Sequence, residues 1–296
     1  MKLVSHTRIL PHELLFGGFL FITWARLIYS TSFFNPASLM YLVFIGANLF
    51  LIVACIKKET ALRWKLRLLF YPIVTSLTYL HLQTALLAIH RVGTIEDGLQ
   101  DALLQKIYGV LTLSAKMQSL VHPMLTELLS LFYLALIPYL LFAMLSYHSR
   151  SLELFKTFSI GLFSLYGVGF LGYTLLPAMG PHSAIQGFSI PVEGWMLFTR
   201  LNSAIVELVS NKVDAFPSLH AAISTYLLFF DRVHSPKRYK FFLVPCIGMW
   251  IATLYLGYHY FVDLIAGFAL AAGAVFIMTH YAISHGKEME QITTRN

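Results

Sequence analysis

Charge is scarce in this chain. Only 12% of its 296 residues are Asp, Glu, Lys or Arg, against about 25% in an average soluble domain. With 57% hydrophobic residues and a mean hydropathy of +0.70, a water-soluble globular domain is excluded. Cysteine is nearly absent, and Cys55 and Cys246 both fall in apolar runs, so there is no disulfide framework to read. No fixed-period repeat, low-complexity tract or flexible linker breaks the chain, which reads as one integral membrane domain. No Gly-x-Ser-x-Gly nucleophile elbow is present. The first apolar run lacks a small-residue cleavage site and contains Arg26, so it reads as an uncleaved span.

What the sequence does have is long apolar runs. A bilayer core takes roughly 20 helical residues. Eight runs qualify, near residues 11–31, 36–56, 68–90, 123–147, 158–177, 217–231, 241–257 and 259–283. The sixth and seventh are short, and the last two almost touch. The expected fold is therefore an all-α integral membrane protein of about eight transmembrane helices. The net charge of +7 resides largely in two flanking loops, "KKETALRWKLR" and "RVHSPKRYK". With a cytoplasmic N-terminus, fifteen Lys and Arg face the cytoplasm and five the other side, which places both termini inside. These loops read as orientation signals and lipid head-group contacts, not as a nucleic-acid surface. Two stretches outside the spans are long, and both fall on the outer face. Residues 91–122 contain "ALLQKIYGVLTL", a candidate helix lying in the interface. Residues 178–216 run from the fifth span to the sixth, and each stretch is either a functional loop or a cap on the bundle.

Three short clusters carry the polar chemistry. In "YHYFVDLIAG", His259 and Asp263 stand four residues apart, which on a helix is one face, one turn apart. A carboxylate accepting from one ring nitrogen fixes the tautomer and frees the other nitrogen to attack. Gly267 and Ala271 continue that face, and small residues there admit another helix at close range. The pair is either functional or a buried lock between helices. In "AFPSLHAA", Pro217 suits a first helical turn, which puts Ser218 and His220 where free N–H groups and the helix dipole attract anions. The plainer alternative makes Ser218 a cap and His220 an interfacial histidine. In "GYTLLPAMGPH", Pro177, Gly180 and Pro181 force a tight helix exit, with Tyr173 and His182 at the water boundary. The span count brings all three clusters to the outer face.

"PSLH" followed some 40 residues later by "HYFVD" resembles the second and third signatures of the type 2 phosphatidic acid phosphatase superfamily, and "PAMGP" resembles the first signature of one branch. "FPSLHAA" with "YLGYHYFVDLIAG" is most similar to the inositol phosphorylceramide synthases and their bacterial relatives. The resemblance covers residues 68–283 as a six-helix core, with residues 1–67 as a two-helix N-terminal addition and basic loop, and the catalytic unit running over 68–296. It implies a histidine-nucleophile phospholipid phosphotransferase or phosphatase in the plasma membrane, facing outward and needing no metal or other cofactor. His259 would be the nucleophile, Asp263 its orienting carboxylate, and His220 the general acid. Ser218 would hold phosphate oxygens, and the partners would be a phospholipid or lipid phosphate and membrane lipids. The sequence departs from the broad family at two points. The usual first signature supplies Lys and Arg, and the third opens with Ser-Arg where this chain has Ala252 and Thr253. The missing charge points to His182, Arg200, Lys212 or Arg91 as phosphate contacts.

Other readings use the same residues. Ser218 with a histidine could make an intramembrane hydrolase, although it follows proline at a helix start. His220 and His259 could be axial haem or metal ligands. Asp263, His259 and His81 could form a transporter's proton relay, with His81 otherwise an interior hydrogen-bonded residue.

Overall fold

Proline opens five of the helices, where its missing N–H costs nothing. These are α1 (Pro11–Ser30), α2 (Pro36–Lys57), α6 (Pro123–Leu134), α9 (Pro181–Ala184) and α12 (Pro236–Tyr255). The others are α3 (Ala61–Leu80), α4 (Leu82–Ile89), α5 (Leu113–Met117), α7 (Leu136–Arg150), α8 (Leu152–Leu175), α10 (Leu197–Val209), α11 (Leu219–His234) and α13 (Phe261–Thr293). This computed structural model describes residues 9–89, 113–184, 196–211 and 213–293. The described residues form helices and one isolated bridge, between Ala178 and Asp214. Most of the expected interfacial helix at 91–122 lies outside the described residues.

Every expected span falls on a helix. Five stretches are long and apolar enough to cross a bilayer: α1, α2, the α6–α7 pair, α8 and α13 to Ser284. The α3–α4 pair, bent by 55°, makes a sixth. The two remaining expected spans are α11 and α12, and they fall short of that standard. α11 has 16 residues, about 24 Å of helix, and α12 begins with Lys237, Arg238 and Lys240. α11 is buried along most of its length, whereas α12 buries one face and exposes Phe241, Val244, Ile247 and Ile251 on the other.

Two breaks have local causes. Between α6 and α7, Pro138 removes the bond to the Leu134 carbonyl and crowds it, and the helix interrupts at Ala135. Between α3 and α4, the Asn211 side chain wedges into the ladder. It accepts from the Gln83 N–H at 3.2 Å and donates to the Tyr79 carbonyl at 3.1 Å, the two groups that would otherwise bond each other. His81 sits at this bend and is exposed, so it is not the interior residue expected above.

At one end of the bundle, two buried ion pairs tie helices together. Arg67 grips both oxygens of Glu13 at 2.5 Å, joining α3 to α1. Arg238 does the same to Asp231 at 2.5 and 2.6 Å, and the Tyr139 and Tyr147 hydroxyls also donate to Asp231. Removing one partner strands the other's charge out of water, at a cost of about 3–5 kcal/mol. Asp231→Ala is therefore expected to lower the unfolding temperature sharply in detergent, with Asp231→Asn less damaging. Thermal unfolding of the two variants side by side checks this.

Candidate active site

The opposite end of the bundle gathers the three sequence clusters. α12 ends at Tyr255, and the turn at 256–260 depends on Gly257, whose φ of 73° is the left-handed region glycine tolerates. The Thr253 carbonyl accepts from both the Tyr258 and His259 N–H groups, at 2.9 and 3.1 Å. His259 therefore sits in the turn, and α13 begins only at Phe261. This corrects the one-helix-face picture of the His259–Asp263 pair. Asp263 is in the first turn of α13, and its Oδ2 reaches back to accept the Tyr260 N–H at 2.7 Å, half of a capping box. The same oxygen is 3.6 Å from His259 Nδ1. The nearer partner of Nδ1 is the Ala215 carbonyl, at 2.8 Å.

Ala215 belongs to a strap, residues 213–218, that leads into α11. The strap pairs with the "PAMGPH" segment: Ala178 N–H donates to the Val213 carbonyl at 3.1 Å, and Ala215 N–H to the Ala178 carbonyl at 3.0 Å. Its Asp214 accepts from the Tyr79 hydroxyl at 2.7 Å. Burial raises the Asp214 carboxyl above its usual range, opposed by the Tyr79 hydrogen bond and the nearby His259. Ser218 N–H donates to the Asp263 carbonyl at 3.0 Å, and Ser218 Oγ caps α11 by accepting from Ala221 N–H at 3.3 Å. Ser218 is fully buried, so the capping role is the one the geometry displays. His220 lies one residue into the helix, with its Nδ1 3.3 Å from His259 Nε2. Since the Ala215 carbonyl can only accept, His259 Nδ1 carries the proton, Nε2 is the acceptor, and the lone pair of Nε2 faces His220.

The "PAMGPH" segment braces this arrangement through its backbone. His182 N–H donates to the Gly257 carbonyl at 2.8 Å, and a Cβ on Gly180 would stand 2.4 Å from the Tyr258 carbonyl oxygen. Pro181 is buried beside them, and Tyr173 is buried within α8. The His182 side chain is exposed, with its ring centroid 6.3 Å from that of Tyr258. Arg200 is on the exposed side of α10. Lys212 and Arg91 lie outside the described residues.

Sequence reasoning missed an aromatic wall. Tyr133, from α6, stacks on the His220 ring at 4.7 Å and leans on Tyr258 at 4.8 Å. Tyr258 is visible at the head of "YHYFVDLIAG", whereas nothing near Tyr133 in sequence marks it. Burial pushes the Tyr258 hydroxyl up to about 12, with the Asn202 hydrogen bond pulling the other way. It therefore remains a neutral hydroxyl at physiological pH. The wall covers one face of the His220 ring.

The sequence profile of the PAP2 superfamily matches residues 108–277, a stretch that holds both histidines and Asp263. The catalytic subunit of inositol phosphorylceramide synthase of Saccharomyces cerevisiae is 40% identical over 67 residues, covering 23% of this chain and 16% of that protein. The phosphoinositol dihydroceramide synthase of Bacteroides thetaiotaomicron is 28% identical over 156 residues, 48% of this chain and 51% of its own. The chain thus spans about half the length, or less, of these relatives. No solved structure matches it. With more than half of the chain under the family profile, and the paired histidines inside it, the protein belongs to the PAP2 superfamily.

Proposed function

We propose that the protein is a membrane lipid phosphotransferase that works through a phosphohistidine on His259. The observation that carries this is the tautomer lock: Nδ1 held by the Ala215 carbonyl at 2.8 Å, Nε2 presented toward His220. His259 Nε2 attacks the phosphorus of a phospholipid. The N–P bond forms as the bond from phosphorus to the diacylglycerol oxygen breaks. His220, as imidazolium, gives that oxygen its proton, and the anionic phosphate supplies the countercharge that lets His220 hold the proton beforehand. The neutral His220 then takes the proton of an acceptor hydroxyl, which attacks phosphorus and releases His259. Asp263, 3.6 Å from Nδ1, steadies the charge that the ring gains.

Charge on the phosphate is met by the first-turn N–H groups and dipole of α11 and by the exposed His182 at the rim. The basic loops flank the other end of the bundle, and by the positive-inside rule this supports a site on the outward face with both termini in the cytoplasm. The two relatives are named as synthases that handle phosphoinositol and ceramide. We accordingly take the transferred group to be a polyol phosphate and the acceptor a lipid hydroxyl. Water in place of that hydroxyl makes the same residues a phosphatase.

The test is a donor and acceptor panel. Detergent-purified protein, with chelator present, is given labelled phosphatidylinositol, phosphatidic acid or an isoprenoid pyrophosphate, with and without ceramide. A new phospholipid that appears only with ceramide is the expected result. Release of head group without dependence on ceramide would identify a phosphatase. Turnover undiminished in His259→Ala would overturn the histidine mechanism.

A further inference from the structure

α10 lies across the site end of the bundle and has two unlike faces. Leu197, Leu201 and Leu208 form an exposed apolar stripe, while Thr199 and Asn202 are buried. Its N-terminus is pinned to α6 by Glu127, which accepts from the Phe198 N–H at 2.7 Å and from the Thr199 N–H and hydroxyl at 3.0 and 2.7 Å. This clamp satisfies backbone donors that a helix start leaves over, and it fixes where the next turn points. That turn carries Asn202.

Asn202 is only 1% exposed. Its Nδ2 donates to the Tyr258 hydroxyl at 3.0 Å, and among the described residues its Oδ1 has no hydrogen-bond partner. If the amide is turned over, the Tyr258 hydroxyl donates to the oxygen and the NH2 is left over instead, so one polar end is unmatched in either orientation. A buried polar end with nothing to bond to is destabilising, and such a group persists where a ligand completes it. Tyr258 is the neighbour of His259 and abuts Tyr133, which stacks on His220. The unmatched amide end therefore adjoins the aromatic wall of the reacting pair.

We infer that Asn202 is a specificity-determining residue that hydrogen-bonds a hydroxyl of the substrate's polar head group. The inference rests on the phosphotransferase reading above. In that chemistry the head group stays on the phosphorus while diacylglycerol departs, so the group that Asn202 reads is present in donor, transition state and phosphoenzyme alike. A polyol phosphate supplies hydroxyls on the carbons next to its ester carbon; a bare phosphate supplies no carbon-borne hydroxyl.

The experiment compares phosphatidylinositol with phosphatidic acid, since both release the same diacylglycerol. In wild-type protein, Asn202→Ala and Tyr258→Phe, the ratio of kcat/KM on the two lipids is measured from diacylglycerol release, with His259→Ala as the blank. The expected result is a ratio that falls about five- to tenfold in Asn202→Ala, the worth of one hydrogen bond, and changes much less in Tyr258→Phe. Equal losses on both lipids in Asn202→Ala would reduce the residue to a brace and overturn the inference. So would a Tyr258→Phe ratio shift as large as that of Asn202→Ala, because Asn202 would then act only through Tyr258. A wild-type protein that releases diacylglycerol from neither lipid would instead sink the phosphotransferase reading, and this inference with it.

Discussion

His259→Ala is expected to lose on the order of 10⁴-fold or more of lipid turnover and to yield no covalent phosphoenzyme that can be trapped. His220→Ala behaves differently. A general acid contributes about 10²–10⁴-fold, and its loss matters most when the departing oxygen is a poor leaving group. In the proposed reaction diacylglycerol would leave as an alkoxide and need the proton. An aryl ester of the same head-group phosphate leaves as a phenolate and needs it far less. The His220→Ala defect should therefore shrink by at least an order of magnitude on the aryl substrate, while His259→Ala stays inert on both. A labelled phosphoenzyme that is acid-labile and alkali-stable, formed by His220→Ala from the aryl ester, would fit a phosphoramidate on His259. Equal defects of the two variants on both substrates would mean that the roles are not divided in this way. The 3.3 Å contact between the rings allows either histidine to be drawn as nucleophile. The Ala215 carbonyl favours His259, because it removes the Nδ1 proton from contention and leaves Nε2 to react.

Much of this was legible in the sequence, and the reasons differ by element. The helical content and the bundle followed from long apolar runs, since each backbone group must find its partner within its own helix in a membrane. α11 and α12 were legible both as helices and as the weakest of the eight runs, α11 for its 16 residues and α12 for the Lys237, Arg238 and Lys240 at its start. The bend at His81 was invisible. It depends on Asn211, more than a hundred residues away in sequence, reaching into the ladder between Tyr79 and Gln83. His259 and Asp263 were identified as a pair on the strength of a spacing of four. They do approach, although through a turn and a backward cap rather than along a helix face. Tyr260 at the helix start has no short polar side chain to signal the boundary, and Asp263 is the residue that supplies the cap.

Site partners contributed by backbone were the hardest to foresee. The Ala215 carbonyl on His259, and the Gly257 carbonyl that receives the His182 N–H, carry no residue signature at all. The prolines and glycines of "PAMGP" did mark a tight exit, and the structure shows what the tightness achieves. A chain with no Cβ at Gly180 can pass within contact of the Tyr258 carbonyl and hold the histidine turn in place. Nothing in the sequence singles out Asn202 or Tyr133 within its helix, so their relation to the site exists only in three dimensions.

Gly267 is where the packing and the chemistry meet. Its place on α13 puts a Cβ 2.4 Å from the Ser218 carbonyl oxygen and 3.1 Å from the Ala221 Cβ, on the first turn of α11. These are backbone and a short side chain, so neither can swing aside. Gly267→Ala forces the two helix starts apart, and Gly267→Val does so further. His220 rides on one of those starts and His259 is tied to the other through the Tyr260 cap and the Ser218-to-Asp263 hydrogen bond. Displacing reacting groups by about 1 Å costs about 10²-fold, so Gly267→Ala is expected to lower kcat/KM by that factor and Gly267→Val to abolish turnover. Gly273→Ala, two turns along the same helix, is the matched control. A Cβ there meets nothing within 4 Å among the described residues, and alanine is the better helix former by about 1 kcal/mol. That variant should keep full activity and unfold at the same temperature or slightly higher. Full activity in Gly267→Ala would show that α11 and α13 can part without disturbing the histidines, and the coupling of helix packing to the reacting pair would be lost.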